Sequence, residues 1–406
     1  MHDFASIDEL TVLAPNGSYG DKTDSAQRGQ AFHLSSVLPA ISAAIGHPVA
    51  TAVHKDPQGL QKAIGLPDVT SAIVVLVDGL GYWNLRLRLG HAPYLRSLFQ
   101  DENNNRPLAS CLPSTTTAAM GVFGTGTCPG LTGMTGYTQL NPDTGDLSQL
   151  IQFRDAQEPE DLQQQPTIFE TLARQGVRVT SSGLPKFANS GLTRAALRGS
   201  HYIGNKDPRA RILAAAQAAQ KPGLTYLYIR DIDKVGHTAG WESDEWVAAL
   251  ERVDAQLATL KRESPKGTLI VIVSDHGMVA ADSNDRFDIA EHEELQHGIT
   301  LVGGEPRQVM LYLDDVEQTA RTAERWQEAL GERAVVRTRQ DILDNGLLGT
   351  VDGRIKSVIG HIFISACGAA TVVDSRIQSE QEINLPGVHG SQTYLESDIP
   401  CLIDLA

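Results

Sequence analysis

Apolar residues along this chain recur in two alternating rhythms. Short β-branched runs are interleaved with stretches in which apolar side chains return at helical spacing. The run Ala72 to Val77 (AIVVLV) has no polar position, so it predicts a strand buried on both faces that ends at Asp78-Gly79. Thr167 to Gln175 reads as a helix leading into a strand at Val177–Thr180, and a helix over 208–220 precedes a strand at Leu224–Arg230. Trp246, Leu250, Val253, Leu257 and Leu260 mark one face of a helix opened by Ser243 as its cap. The following strand, Thr268–Ser274, runs into Asp275-His276-Gly277. This alternation predicts an α/β fold with a largely parallel central sheet flanked by helices.

Residues 280–370 break the rhythm. A strand at Val309–Leu313, a helix near 316–332 and a strand at Ala334–Arg337 form a compact unit between two stretches of the main pattern. They predict a small inserted α+β cap subdomain at 280–370, with 1–279 and 371–406 forming the core. Glu291–His297 (EHEELQH) reads as solvated surface. Residues 34–53 are the most apolar long stretch, but Pro39, His47, Pro48 and three serines interrupt them, so no membrane span is expected.

Three carboxylates fall just past three of these apolar runs: Asp78, Asp233 and Asp275. In parallel neighbouring strands they would emerge together at the carboxyl edge, where open α/β sheets bind ligands. His237, His276 and His389 accompany them in the chain. Mixed Asp and His donors suit zinc, and three of each suffice for two ions. Singly, each has a plainer reading: Asp78 as a turn residue, Asp233-Lys-Val-Gly-His237 as a surface turn. The ordered set is what carries the argument.

The most specific segment is Leu112-Pro113-Ser114-Thr115-Thr116-Thr117-Ala118-Ala119-Met120, followed by Gly124-Thr125-Gly126-Thr127-Cys128-Pro129-Gly130. A threonine-rich helix start caps free backbone amides, and the same amides favour a phosphate. PSTTTAAMGVFGTGTCPG resembles the type I phosphodiesterase/nucleotide pyrophosphatase family of the alkaline phosphatase superfamily. That family has Pro-Ser-x-Thr, with Thr-Gly nine and ten residues past the catalytic threonine and a proline three past that glycine. Counting back from Thr125-Gly126 selects Thr116. VDG (Asp78), DKVGH (Asp233, His237), SDHG (Asp275, His276) and GVHG (His389) follow the family order, so the resemblance spans roughly residues 70–395.

The resemblance implies an alkaline phosphatase-like fold and two divalent metal ions, zinc (Zn2+) in this family. Asp233, His237 and His389 would hold one, while Asp78, Asp275, His276 and the Thr116 oxygen would hold the other. Thr116 would be the nucleophile. Where many nucleotide pyrophosphatases have an asparagine, twenty-one positions past the nucleophile, this chain has Tyr137, which serves equally as a substrate donor or a packing residue. Two similar-looking segments fail on order or spacing. Thr23-Asp24-Ser25-Ala26 precedes the Asp78 strand, and Cys111-Leu-Pro-Ser lacks both the arginine and the Thr-Gly spacing of a sulfatase motif.

Composition narrows the partners. A formal net charge of −15 over 406 residues repels duplex nucleic acid from most of the surface, but leaves room for a small phosphate ester in a locally cationic cleft. The four cysteines form no CxxC pair, which fits isolated thiols in a reducing compartment. The first thirty residues lack a basic start followed by an apolar core, so no signal peptide is expected and the location reads as cytoplasmic. The leading function is hydrolysis of a phosphodiester or phosphoanhydride through a phosphothreonine. Hydrolysis of a phosphonate, phosphomonoester or sulfate ester on the same metals is the second reading, and a metal-stabilised protein without turnover the third.

Overall fold

The computed structural model describes residues 6–15, 19 and 32–406; the Thr23–Ala26 segment lies outside them. The central sheet is built from β1 (Ser71–Val77), β2 (Val179–Gly183), β3 (His201–Gly204), β4 (Gly223–Ile229), β5 (Leu269–Val273) and a C-terminal strand, Cys401–Leu405. From edge to edge the order is Cys401–Leu405, β5, β1, β4, β2, β3. All neighbours run parallel except Cys401–Leu405, which lies antiparallel to β5.

Period-two alternation within β1 sorts its side chains between two cores. Ala72, Val74 and Leu76 pack with Ala118, Val122 and Phe123 of helix α1 (Thr116–Thr125). Ile73, Val75 and Val77 face the opposite way, toward Ile212 of α2 (Pro208–Ala218) and the Trp246, Leu250, Val253 and Leu257 stripe of α4 (Asp244–Glu263). The Ser243 hydroxyl accepts the Trp246 amide at 3.1 Å, as a cap should. Between β4 and α4 lies α3 (Asp231–Ala239). Every residue of β1 is thus covered, on one face or the other, which explains its unbroken apolar run from Ala72 to Val77.

The strand expected at Val177 begins later. Gly176 takes φ +81° and the Val177 amide still bonds Leu172 O at 3.0 Å, closing the preceding helix first. It then continues through two serines whose hydroxyls are satisfied by Ser200 and by Arg211 O. Edge strand β3 gave no sequence signal, because its residues are only partly covered or exposed.

Between β5 and Cys401–Leu405 the chain forms a second sheet from β6 (Ile299–Glu305), β7 (Gln308–Leu313), β8 (Ala334–Thr338) and β9 (Ile362–Ala366). It is antiparallel, in the order β6-β7-β9-β8. Trp326 and Leu330 of α5 (Thr319–Leu330) cover one face, against Leu311, Ile362 and Ile364. Met310, Tyr312 and Phe363 on the other face share a cluster with Leu112, at the entry to the threonine segment. Glu291, Glu293, Glu294 and His297 are exposed, in keeping with a solvated surface. No helix among the described residues is long and apolar enough to cross a membrane.

Candidate metal centre and substrate cavities

Strand register brings the three carboxylates together. Val77 pairs with Ile229 and Leu76 with Val273, so β1, β4 and β5 end within one residue of one another, and Asp78, Asp275 and the start of α3 with Asp233 follow at that edge. At Gly79 a Cβ would stand 2.8 Å from Asp233 Cα, and φ is +73°. A glycine there lets α3 start against the end of β1. The Gly79 amide in turn donates to Asp275 Oδ1 at 3.1 Å.

All six predicted ligand side chains meet at this edge. His276 Nε2 lies 3.5 Å from Asp78 Oδ1 and 3.6 Å from Asp275 Oδ2. His237 Nε2 stands 3.1 Å from Asp233 Oδ1 and 3.2 Å from His389 Nε2, while His389 Nε2 is 3.7 Å from Asp233 Oδ1. By mutual proximity two groups of donors emerge, Asp78-Asp275-His276 and Asp233-His276-His389, each within 4.8 Å. His276 bridges both because it stacks on His389 with ring centroids 3.5 Å apart. His237 touches Asp233 and His389 through the contacts just given but falls outside both groups, where His276 takes the third place.

Two observations fit these donors to cations. Asp78 Oδ1, Asp233 Oδ1 and Asp275 Oδ2 are buried without a hydrogen-bond partner, and such orphaned acceptors are rare unless something else binds them. Each imidazole also spends Nδ1 on a backbone carbonyl: His237 on Gly387 O at 2.8 Å, His276 on Gly277 O at 2.9 Å and His389 on Ser114 O at 2.9 Å. That leaves every Nε2 facing inward as a lone-pair donor, the outer-shell pattern of metal histidines.

Charge in the bare cluster is poorly balanced. Burial, then the neighbouring charges of Asp275 and Asp233, pushes the Asp78 carboxyl well above its ordinary range. Burial would raise Asp233 as well, but the ring of His237 holds it below. Burial opposes protonation of His237, yet Asp233 lifts it to about 9. Divalent cations invert this logic by compensating the carboxylates directly.

Thr116 opens α1 with its side chain buried, and its Oγ1 lies 3.2 Å from His276 Nε2. Of the flanking threonines, Thr117 Oγ1 donates to Gly136 O at 2.8 Å, and Thr115 faces the carboxyl of Glu305. Cys111 is fully buried with its thiol on Pro113 O, and burial drives its pKa far up, so it is not a reactive thiolate.

Two cavities share Thr116, Ile151, Asp233 and His237. The larger, about 610 Å³, is mainly apolar and includes Tyr137, whose hydroxyl accepts from Gln149 Nε2 at 2.9 Å. The smaller, about 390 Å³, carries Lys186, Arg230 and Lys234 together with Phe187, Tyr202 and Tyr228. Burial, then Arg230 and Lys234, depresses the Lys186 pKa, as expected where cations crowd. Phe187 packs edge-on against Tyr228 at 5.8 Å.

Sequence reasoning missed Tyr228, whose hydroxyl donates to Asp78 Oδ2, and Glu305, which reaches the larger cavity from the second sheet. Tyr228 lies near the end of a buried strand leading to Asp233, a position that could have drawn attention. Glu305 has no local signal at all.

A search by sequence among curated proteins finds no match. Solved structures share the fold at low identity. Murine ectonucleotide pyrophosphatase/phosphodiesterase 5 superposes with TM-score 0.64 at 16% identity, covering 82% of this chain and 87% of that one. Its inactive threonine-to-alanine variant in complex with AMP gives TM-score 0.64 at 15% identity and the same coverage. Phosphonoacetate hydrolase from Sinorhizobium meliloti 1021 with phosphonoformate gives TM-score 0.62 at 19% identity, covering 83% and 90%. The family model for type I phosphodiesterase / nucleotide pyrophosphatase matches residues 72–392, most of the chain. This chain therefore belongs to the type I phosphodiesterase / nucleotide pyrophosphatase family of phosphoester hydrolases.

Proposed function

We propose that the chain hydrolyses phosphodiesters or phosphoanhydrides by double displacement at Thr116. The observation that carries this reading is the position of Thr116 Oγ1, at the seam of both cavities and beside both donor groups. The family is dependent on divalent metals. Asp233, His237 and His389 would hold one ion and Asp78, Asp275, His276 and Thr116 the other, with zinc the best match to the donors. When bound, such ions supply positive charge that acidifies a hydroxyl and stabilises phosphoryl oxygens.

The protein's own groups do the rest. Thr116 Oγ1 attacks phosphorus in line, its proton passing to solvent, and the first oxygen–phosphorus bond breaks to release one arm as an alcohol or phosphate. Helix α1 begins at Thr116, and the amides of its first turn lack intrahelical acceptors, so they suit a non-bridging oxygen. Water then attacks the phosphothreonine, restores the hydroxyl and frees the second product. Tyr137 and Gln149 would line the path of one arm, and Lys186, Arg230 and Lys234 would meet the other.

Charge favours a diester over a monoester. Three ligand carboxylates and one alkoxide offset the charge of two divalent ions, leaving a nearly neutral centre better matched to a monoanion than a dianion. The three cations stand along the smaller cavity and suit an anionic substituent on that arm, such as a further phosphate of a nucleotide. The AMP bound to the murine neighbour supports a nucleotide. The same cations favour, as second reading, a phosphonate bearing a carboxylate, in line with the phosphonoacetate hydrolase neighbour. Four free cysteines support a reducing, cytoplasmic setting.

The test is kcat/KM of zinc-loaded protein for bis(p-nitrophenyl) phosphate, p-nitrophenyl phosphate and phosphonoacetate. The diester should be fastest, and Thr116→Ala should lower its turnover by about 10³-fold or more. Thr115→Ala and Thr117→Ala should stay within about tenfold. A dead Thr115→Ala beside an active Thr116→Ala would move the nucleophile by one residue, and a clear monoester preference would refute the charge argument.

A further inference from the structure

Glu305 stands apart from the donor groups yet faces the same space. It ends β6, where the chain reverses through Pro306-Arg307, and it pairs with Gln308 across the turn. The residue is 9% exposed and lines the larger cavity with Thr116, His237 and His389. Thr115 faces its carboxyl, and Oε1 is buried with no hydrogen-bond partner among the described residues. Such an acceptor inside a ligand cavity can take a hydrogen bond from a donor on the ligand.

Its placement is built, not incidental. Next along the turn, Arg307 is wholly buried and grips Glu396 through Nε–Oε1 at 3.1 Å and Nη2–Oε2 at 2.8 Å. Gly390, just after His389, has φ +136°, and a Cβ there would come within 2.6 Å of Glu305 Cγ. A glycine at 390 is therefore what makes room for this carboxyl beside the metal ligands.

The other acids of this cavity are committed. Asp374 is doubly bonded by Arg376, Glu382 closes the capping box at Ser379, and Asp233 belongs to the donor cluster. Among the described residues no Lys or Arg lines the cavity, while three line its neighbour. An ammonium would be repelled from one cavity and met by a free carboxyl oxygen in the other.

We propose that Glu305 selects substrates whose arm in the larger cavity carries a hydrogen-bond donor, an ammonium or a hydroxyl, near the phosphorus. The inference rests on the reading that phosphorus sits at Thr116. It gives the second sheet a role: β6 delivers the specificity group, and the cationic cavity orients the substrate by taking the opposite arm.

Calorimetric titration of zinc-loaded protein with 2-aminoethyl phosphate, 2-hydroxyethyl phosphate and propyl phosphate tests it, because the three differ mainly in the terminal group. Wild type should bind the first two about tenfold more tightly than propyl phosphate, a typical worth of one such bond. Glu305→Ala should bring all three within about twofold. Glu305→Gln should keep the preference for hydroxyl and lose that for ammonium, which separates the two donors. Metal content and melting temperature are checked in parallel; if Glu305→Ala does not fold, the isosteric Glu305→Gln carries the test through its ammonium-to-hydroxyl ratio. A wild type without donor preference, or a preference unchanged in the variants, overturns the proposal. Because binding is read without turnover, donor selectivity in a protein that hydrolyses no ester would overturn the hydrolytic reading alone.

Discussion

Arg307→Met should be among the most damaging single changes remote from the chemistry. Arg307 and Glu396 are both fully buried, and the guanidinium also donates to Ala370 O at 2.6 Å. Without it, Glu396 keeps only the Ser391 amide at 3.0 Å and the Thr393 hydroxyl at 2.5 Å as hydrogen-bond donors for its charge. Breaking a buried pair from one side costs about 3–5 kcal/mol, and the abandoned carbonyl adds about 1 kcal/mol. Unfolding entropy near 2.1 cal/mol/K per residue amounts to about 0.85 kcal/mol/K for a chain of 406 residues, so Tm should fall by about 5–7 °C. Scanning calorimetry of wild type, Arg307→Met and Arg307→Met/Glu396→Leu makes the measurement. The double variant should recover at least half the loss, because no buried charge is left alone. A Tm within about 1 °C of wild type for Arg307→Met would refute the reasoning. So would a double variant that melts below Arg307→Met.

Two further outcomes are expected. Tyr228→Phe removes the hydroxyl that orients Asp78 but keeps the ring against Phe187, so zinc affinity should drop about 10- to 100-fold in chelator competition with little change in Tm; equal affinity would remove Tyr228 from the metal's support. In metal-free protein, burial raises Glu305 from an ordinary 4.5 to about 8, so the fold retains a proton that the unfolded chain releases. Stability is therefore lost as pH climbs from about 4.5 to about 8, by at most about 5 kcal/mol, and Glu305→Gln should flatten that slope; parallel melting curves of the two proteins against pH would contradict it.

The chain announces its centre through motifs that are local in sequence. β1, β4 and β5 are short, largely apolar strands with a ligand residue one to four positions past their ends, so pattern and chemistry meet at Asp78, Asp233 and Asp275. The choice among three threonines needed the family spacing, since composition cannot separate them; their hydroxyl partners differ only in the folded chain. Glu305 and the grouping of Lys186 with Arg230 and Lys234 are illegible for a different reason. They come from separate elements whose proximity is set by packing of the second sheet and by α3, which no single window contains. Exposed β3 escaped because a polar edge strand has little periodicity to read.

The order of the ligands along the chain has a consequence for biosynthesis. The donor set begins at Asp78 and is completed only by His389, with the whole second sheet and the Arg307 turn strung between His276 and that last imidazole. Cys401–Leu405, which seals β5 at the sheet edge, comes later still. A nascent chain emerging from the ribosome can hold three carboxylates and two imidazoles near one another long before it can close either the cavity or the coordination. Contacts so distant in sequence form slowly, and a half-built cluster of buried carboxylates repels itself. With the proposed ligand set, ion binding would come at the end of folding, coupled to final closure in one cooperative event rather than two.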